Sequence, residues 1–452
     1  MATVVLTGTF DTKGGEYTFV RDKILSINLE CKVLLIDVGI RSTSETIPHG
    51  DIVSSEIVLA ANEKYENVTK LAKADALNLM SKGLTGILLN LYEKGNLHGV
   101  MGMGGGCGST LLSEAFQQLP LGLPKLLVST IVATGSARSL IGLTDMTIMF
   151  SVTDMPGHVN RFNHQILSNA AVAIVTMAMD YATNHKNHST YIHFPIATKR
   201  SKLCIAASMI GLTQPCVLAA EALLMKLGYA VVIFHSVGKL AIVDIILFHI
   251  DVNLGIGGDV MERLIELGKV DAVLDVNLSE IINTMIPNSI VKSSLHRLET
   301  AGRLGIPQVV SLGALDALTI GSGSPIPDEY CARKMIVVNA KFTLVRISSD
   351  ECLRVGELIA KKLNASRGPV TLIIPRKGLS LLSQPGGLFE DSVANECLFE
   401  AIRSRIDPKV VCLIERDEHI NEPQFAAALV DALLAQLNNK LTMIQSKKEL
   451  VD

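Results

Sequence analysis

The chain has 452 residues, of which 48% are hydrophobic and 19% are charged, so it can bury large cores and does not have the composition of a disordered protein. Its 41 basic and 44 acidic side chains give a formal net charge of -3, which leaves no positive excess for the phosphate backbone of a nucleic acid. These values predict a globular protein of two or three domains that does not bind nucleic acid.

The apolar stretches and the cysteines indicate in which cellular compartment the protein lies. The longest apolar stretches are broken by polar side chains such as Asn169, Lys239 and Asp244, whereas a membrane span needs roughly 20 uninterrupted apolar residues. The first residues lack the basic start and the cleavage site of a signal peptide. The eight cysteines form no CxxC pair, which is typical of reduced thiols, and we interpret them as small core residues. We therefore expect a cytoplasmic protein without a membrane partner.

In the first half of the chain, short runs rich in Val, Ile and Leu alternate with amphipathic segments, as in a parallel sheet covered by helices on both faces. Strands are predicted at residues 3–8, 31–38, 97–103, 124–130 and 146–152. Helices are predicted at residues 16–27, 68–81, 109–118 and 159–181. Together these elements predict an N-terminal α/β domain over residues 1–183.

The second half repeats the same alternation after a polar stretch at residues 184–202, which breaks both periodicities and predicts a short linker. Strands are predicted at residues 203–211, 229–235, 270–276, 307–313, 368–375 and 410–415. Helices are predicted at residues 218–227, 260–267, 352–363 and 424–437. We thus expect two doubly wound, mainly parallel-sheet, Rossmann-like domains, the second over residues 203–440 and followed by a disordered tail over residues 441–452.

A glycine turn stands between a predicted strand and a predicted helix in GVMGMGGGCGSTLL, residues 99–112. Such a turn points several backbone N–H groups at one spot, where the helix dipole favours an anion or a phosphate. The spacing matches neither GxGxxG nor a Walker motif, and the alternative is a tight turn that lets helix and strand pack closely. We favour the anion site, formed by Gly105, Gly106 and Gly108, with Ser109 or Thr110 capping the helix.

The motif DTK follows the first strand, at Asp11, Thr12 and Lys13, and would lie beside the glycine turn at the carboxyl edge of the sheet. Lys13 could supply a positive charge to a phosphate, and Asp11 could hold a hydroxyl group or a hydrated Mg²⁺. The alternative is that Asp11 or Thr12 only caps the next helix.

Three further sets of polar or glycine residues are candidates. The hydroxyl groups of Ser129, Thr130 and Thr134 follow a strand and suit ribose or phosphate oxygens, or they are ordinary loop residues. Gly257 and Gly258 repeat the glycine turn in the second half, although the neighbouring Asp259 would repel an anion. The histidines within residues 185–193 have no carboxylate or thiolate nearby, which favours a solvated linker over a metal site.

Taken in order, the motifs resemble the Tm-one-like family, which takes its name from a tomato mosaic virus resistance protein. The motifs are GTFDTKGGE, GVMGMGGGCGSTLLSEAFQQLPLGLPKLLVST, IGLTDMTIMFSVTDM and HINEPQFA, and the resemblance covers about residues 3–435. It implies two Rossmann-like domains and ATP binding and, for the plant member, an inhibitory complex with viral replication proteins. It matches the family's DTK to residues 11–13, its glycine turn to residues 105–110 and its strand end to residues 129–135.

The second half departs from the family pattern. Asp259 stands where the family has arginine, and the dipeptide Phe-His occurs at Phe234 and again at Phe248, as if a segment had been inserted before the glycine turn. The paired threonines of the family are missing after Asp275. Ligand contacts from residues 236–260 and 276–291 are therefore left open.

We expect the protein to bind ATP, or another phosphorylated small molecule, together with Mg²⁺, at the first glycine turn and facing a cleft between the domains. It would act as a binding or regulatory module with a protein partner. The alternative is a hydrolase, transferase or isomerase for a small phosphorylated or acyl substrate, with Asp11, Asp145 and His235 as candidate acid and base groups. A homodimer is the default expectation for either role.

Overall fold

The computed structural model describes residues 1–40, 46–68, 70–134, 137–186, 203–236, 256–286, 289, 291, 293–294, 296–321, 326–339 and 342–449. The chain divides into two compact units, Met1–Thr198 and Lys199–Asp452. Most of the predicted linker, residues 187–202, lies outside the described residues.

The first unit alternates strands and helices throughout its length. Its elements are β1 (Thr3–Gly8), α1 (Phe10–Ile27), β2 (Lys32–Asp37), α2 (Ser54–Ala60), α3 (Tyr65–Val68), α4 (Lys73–Glu93), β3 (Gly99–Gly104), α5 (Gly106–Phe116), β4 (Lys125–Ser129), α6 (Ala137–Ile141), β5 (Thr147–Phe150) and α7 (Asn163–Lys186). A 3-10 turn, Val132–Thr134, lies between β4 and α6. All five strands predicted for this half are present.

The strands of the first unit form one parallel sheet in the order β2-β1-β3-β4-β5. Leu6 of β1 packs with Ile174 of α7 on one face, whereas Val5 packs with Leu84 of α4 and Leu112 of α5 on the other. The chain therefore changes faces between β1 and β3, and open α/β sheets bind ligands beyond the strand ends at such a switch point. The prediction of a doubly wound sheet is confirmed for this unit.

The helices of the first unit differ from their predicted bounds, and α4 and α1 each contain a glycine that another part of the backbone approaches closely. The helix predicted at residues 68–81 is α4, which continues through Gly83, where a Cβ atom would collide with the Ile57 carbonyl oxygen of α2. The helix predicted to begin at residue 16 is α1, whose first turn from Phe10 is separated from the rest of the helix by a kink at Lys13 (φ -132°, ψ 22°); a Cβ atom on the next residue, Gly14, would collide with the Ile47 carbonyl oxygen. Both glycines permit close backbone approach.

Among the described helices, only α7 is long and apolar enough to cross a membrane by length and composition, and 50% of the relevant window is buried within the protein. Its residues Ala170, Ile174 and Ala178 pack in the core between α7, α1 and the sheet. This is the position of a core helix. The helix continues to Lys186, into the segment predicted as a linker, so the domain boundary at residue 183 lies within α7.

The second unit has the same alternation with an added small sheet. Its elements are β6 (Cys204–Met209), α8 (Gln214–Lys226), β7 (Ala230–His235), α9 (Ile256–Glu266), β8 (Ala272–Asn277), α10 (Ser279–Met285), α11 (Thr300–Leu304), β9 (Gln308–Gly313), β10 (Ala317–Gly321), α12 (Asp328–Cys331), β11 (Met335–Val337), β12 (Phe342–Arg346), α13 (Ser349–Asn364), β13 (Val370–Pro375), α14 (Ser392–Arg405), β14 (Val411–Arg416) and α15 (Pro423–Glu449). The six strands predicted for this half are β6, β7, β8, β9, β13 and β14.

Those six strands form a parallel sheet in the order β14-β13-β9-β8-β6-β7, which confirms a second doubly wound sheet. The antiparallel sheet β10-β12-β11 was not predicted from the sequence. The predicted disordered tail is wrong for residues 441–449, which continue α15. Leu, Met, Gln, Lys and Glu in that stretch are good helix formers.

Candidate functional site

The start of α5 presents backbone amides that have no acceptor within their own helix, and it lies at the switch point of the first sheet. Gly105 is the N-cap residue, and the helix begins at Gly106. The Ser109 amide donates to the Gly105 carbonyl oxygen at 2.8 Å as the first bond of the helix. The N–H groups of Gly106, Cys107 and Gly108 therefore have no acceptor within their own helix. The positive end of the helix dipole lies at the same place.

Packing explains two of the glycines that precede the turn. A Cβ atom on Gly102 would lie 2.8 Å from Leu112 Cδ1, and one on Gly104 would collide with the Ser109 amide nitrogen. Because these glycines allow α5 to lie directly on β3, the close-packing interpretation is correct for them.

Packing does not explain the three glycines of the turn. Apart from the adjoining residues and the backbone of α5 itself, no described atom lies within 4 Å of a Cβ atom built on Gly106 or Gly108, and the closest to Gly105 is Thr130 Oγ1 at 3.8 Å. The positive-φ glycines of the described chain do not include these three. A side chain would fit here without strain, so what glycine provides is open access to the backbone amides. The close-packing interpretation therefore does not account for these three glycines.

Two of the predicted hydroxyl groups fasten α5 to the sheet. Ser109 Oγ donates to the Gly104 carbonyl oxygen at 3.0 Å and lies 2.7 Å from Ser129 Oγ, and both serines are fully buried. Thr110 Oγ1 donates to the Gly106 carbonyl oxygen at 3.0 Å. The prediction that Ser109 or Thr110 caps α5 is therefore wrong: both lie inside the helix, with their hydroxyl groups bonded to backbone carbonyls.

Of the other hydroxyl groups after β4, Thr130 lies next to the glycine turn. Its amide donates to the Gly104 carbonyl oxygen at 3.2 Å, and its side chain is half-buried beside Gly105. Thr134 is exposed and donates through Oγ1 to the Ile131 carbonyl oxygen at 2.7 Å, within the 3-10 turn. The described contacts bring Thr130 to the turn, and they do not bring Thr134 there.

The DTK motif is directed elsewhere. Lys13 Nζ donates to the carbonyl oxygen of Met155, in the loop between β5 and α7. The described contacts of this amine are therefore with that loop and not with the glycine turn. Thr12 Oγ1 lies 2.7 Å from Thr9 Oγ1, and Asp11 is exposed. The N-cap residue of α1 is Thr9, so the alternative interpretation of Asp11 or Thr12 as the cap is also wrong.

Tyr17, which sequence reasoning missed, joins the ends of β1 and β3. Its hydroxyl group accepts the Met103 N–H at 2.7 Å and donates to the Thr7 carbonyl oxygen at 2.5 Å. Burial raises the pKa of Tyr17, so the hydroxyl group stays protonated. Gly8 is required because a Cβ atom there would collide with this hydroxyl group. The sequence signal was the aromatic residue that directly follows the motif GTFDTKGGE.

One buried oxygen at the switch point has no partner. Thr7, the next-to-last residue of β1, is fully buried, and its Oγ1 has no hydrogen-bond partner among the described residues. Side chains alternate along a strand, and Val5 faces α5, so Thr7 faces the same side of the sheet. Buried hydroxyl groups normally have a partner, and no described residue supplies one to Thr7 Oγ1.

The second glycine turn is occupied by the protein itself. The Gly258 amide donates to Glu280 Oε1 at 2.9 Å, and a Cβ atom on Gly258 would collide with the Glu280 carboxylate. A Cβ atom on Gly257 would collide with the His235 carbonyl oxygen. These glycines have packing roles, and the contacts do not support the prediction that they bind a nucleotide.

A buried ionic cluster surrounds that turn and was not found from the sequence. Arg297, 1% exposed, bonds to both oxygens of Asp275 at 2.5 and 2.6 Å, to Glu280 at 2.7 Å and to Glu262 at 3.3 Å. Burial raises the pKa of Glu280 to about 7, against the opposing attraction of Arg297. Three carboxylates around one guanidinium group leave no place for an added anion.

The two candidate acid and base groups of the first unit, Asp11 and Asp145, do not converge. Asp145, which precedes β5, pairs with Lys125 Nζ at 2.7 Å at the amino edge of the sheet, whereas Asp11 follows β1 at the carboxyl edge. His235 belongs to the other unit. Among the described residues, no group of three or more His, Cys, Asp or Glu side chains is placed to hold a metal ion.

The interpretation of the cysteines as core residues holds for only three of them. Cys31, Cys216 and Cys352 are buried, whereas Cys107, Cys331 and Cys412 are exposed. Cys107 lies in the first turn of α5 between Gly106 and Gly108.

Comparisons with known proteins give two domain matches and a group of relatives. Residues 2–183 match the N-terminal domain, and residues 202–437 the C-terminal domain, of the uncharacterised protein family UPF0261. The ToMV resistance protein Tm-1(GCR237) of Solanum lycopersicum is 32% identical over 94% of this chain, which spans only 55% of the tomato protein. UPF0261 proteins of Mesorhizobium japonicum and Clostridium tetani are 33% and 31% identical over 95% of this chain and 98% of their own lengths.

One solved structure is far more distant. UDP-GlcNAc 2-epimerase from Neisseria meningitidis shares 14% identity, with a TM-score of 0.19 over 69% of this chain and 82% of the epimerase. Values this low support no argument about fold or activity.

Proposed function

Because the chain belongs to the uncharacterised protein family UPF0261, and because its first glycine turn is open, we propose that its first unit is a nucleotide-binding module with ATP as the ligand. The similarity to the tomato Tm-1 protein confirms the resemblance found in the motifs. ATP binding is the property that this resemblance implies, and the first unit is where the geometry suits it.

The observation that carries the proposal is the contrast between two helix starts. At α9 the Gly258 amide is bonded to the Glu280 carboxylate, so a protein side chain occupies the place of an anion. At α5 the amides of Gly106, Cys107 and Gly108 have no acceptor in their helix, and no described atom lies within 4 Å of a Cβ atom built on either glycine. Anions bind at such helix N-termini.

In this proposal the phosphate groups lie on the N–H groups at the start of α5, beside Thr130. Asp11, exposed at the same edge of the sheet, is the candidate ligand of a hydrated Mg²⁺. Lys13 would contact phosphate only after leaving the Met155 carbonyl oxygen, so we assign the phosphate contacts to the backbone. The hydrogen bond between the Ser109 and Ser129 hydroxyl groups holds the start of α5 against the end of β4.

A binding module fits this arrangement better than the alternative of an enzyme. Asp11 and Asp145 lie at opposite edges of the sheet, and they do not form an acid and base pair. We propose that nucleotide binding supports assembly with a protein partner in the cytoplasm. We also propose that the protein forms a homodimer.

The test is isothermal titration calorimetry with ATP and Mg²⁺ on the wild type and on Gly106→Val. We expect micromolar or weaker binding that Gly106→Val reduces at least tenfold, because the side chain would cover the amides. The variant should fold, since no described atom lies within 4 Å of the new Cβ atom. Gly86→Val, at an exposed helical glycine of α4, is the matched control and should bind normally.

Equal affinity in the wild type and Gly106→Val would remove the glycine turn from the proposal. A wild type that does not bind ATP would overturn the nucleotide assignment itself.

A further inference from the structure

Phe150 ends β5 in the same cross-strand row as the start of the glycine turn. Gly104 of β3 pairs with Ser129 of β4, and Ser129 pairs with Phe150 of β5, so the three residues lie side by side across the sheet. Ser129 Oγ is bonded to Ser109 in the first turn of α5, which places α5 on the face where this row's side chains point.

Phe150 lies on the same face as α5. Ile148, two residues earlier, packs with the core on the α5 side, whereas Met149 packs with the core on the α7 side. Alternation along the strand therefore turns Phe150 toward the α5 side. Its ring is 38% exposed and belongs to neither core cluster. An aromatic ring at this place is open to a planar partner.

The next residues add to this apolar surface. Val152 is 65% exposed and adopts a φ of 62°, which a β-branched residue rarely adopts. The Ser151 amide donates to the Ser129 carbonyl oxygen at 3.2 Å and holds the turn against β4. Phe150 and Val152 thus form an exposed apolar surface at the carboxyl edge of the sheet.

Neighbouring strands lie about 4.8 Å apart, so the end of β5 is about 10 Å from the end of β3. A ribose with its phosphate groups can bridge such a gap between an anion site and an aromatic ring. We propose that Phe150 is the stacking platform for the base of the bound ligand, which makes the site specific for nucleoside phosphates over other phosphorylated molecules. This inference rests on the proposed anion site at the glycine turn.

The experiment compares two probes, ATP and inorganic tripolyphosphate, by calorimetry on the full chain. Removing a stacked base contact by alanine substitution costs a factor of about ten in affinity. Phe150→Ala should therefore weaken ATP binding about tenfold and leave tripolyphosphate binding unchanged, whereas Gly106→Val should weaken both. Phe150→Tyr should bind ATP as the wild type does, because it keeps the ring.

Phe162→Ala is the matched control, since Phe162 is an aromatic residue that is 71% exposed outside the row. It should bind both probes normally. ATP binding by Phe150→Ala at wild-type affinity, with Gly106→Val impaired, would overturn the stacking platform and leave the glycine turn standing. Equal losses of ATP and tripolyphosphate in Phe150→Ala would overturn it too. Unimpaired binding in Gly106→Val would remove the glycine turn from the proposed function and would overturn the stacking platform that is placed beside it.

Discussion

The reactivity of the Cys107 thiol group reports directly on whether the glycine turn is covered. Its thiol group is exposed in the first turn of α5, between the two glycines whose amides are proposed to hold phosphate. The other exposed cysteines, Cys331 and Cys412, belong to the second unit and serve as internal references.

We predict that saturating ATP with Mg²⁺ slows alkylation of Cys107 by iodoacetamide several-fold and leaves Cys331 and Cys412 unchanged, because a bound phosphate group covers the first turn of α5. Peptide mass spectrometry measures the three rates in one sample. A Cys107 rate that does not respond to ATP, in a protein that binds ATP, would place the ligand elsewhere.

Single residues also show where sequence reasoning succeeds. The open backbone at Gly105, Gly106 and Gly108 was predicted from the glycine run between strand and helix, but the sequence did not show that the earlier glycines of the run serve packing. The contact of the Lys13 side chain was not predictable, because its partner is the carbonyl group of Met155, more than a hundred residues away in the chain. Tyr17 was missed for the same reason: its bonds to Thr7 and Met103 depend on the pairing of β1 with β3.

Among the elements, α9 and α10 show how a helix start can be satisfied internally. Glu280 of α10 is fully buried, accepts the Gly258 N–H of α9 and bonds to Arg297. Burial raises the pKa of Glu280 from 4.5 to about 7, so the folded state holds a proton that the unfolded chain has released between these pH values. Because the folded state binds more protons than the unfolded chain in this range, the free energy of unfolding falls as pH rises from 4.5 to about 7.

We predict that Glu280→Gln loses this part of the pH dependence, which amounts to at most about 3 kcal/mol in the wild type. Urea unfolding followed by circular dichroism at a series of pH values between 4.5 and 7.5 measures it. Glu266→Gln, at a half-exposed carboxylate of α9, should keep the wild-type slope. The same slope in Glu280→Gln and the wild type would contradict a protonated Glu280 in the folded state.

For the whole molecule, the question is which unit holds the ligand. Each unit has its own parallel sheet and switch point, so the topology alone allows two sites. The occupied amide of Gly258 and the carboxylates around Arg297 exclude an anion from the second glycine turn.

We predict that ATP with Mg²⁺ slows amide hydrogen exchange in peptides covering residues 99–116 and leaves peptides covering α9 unchanged. Binding to the native state raises the free energy of local opening only where the ligand makes contact. Exchange measured by mass spectrometry on the full chain tests this. Protection of α9 equal to that of α5 would show that the second unit binds the nucleotide too.

The parallel sheets and the glycine turn follow from local patterns. Periodicity and turn composition are properties of neighbouring residues. They were sufficient to predict, from the sequence alone, the strands of both large sheets and the family resemblance. The end of α4 required tertiary contacts, because a glycine that would break an isolated helix is retained at Gly83, where the backbone of α2 approaches it. Long-range pairing likewise decided which glycine turn is open and which is filled by Glu280, since no local pattern records a partner distant in the chain.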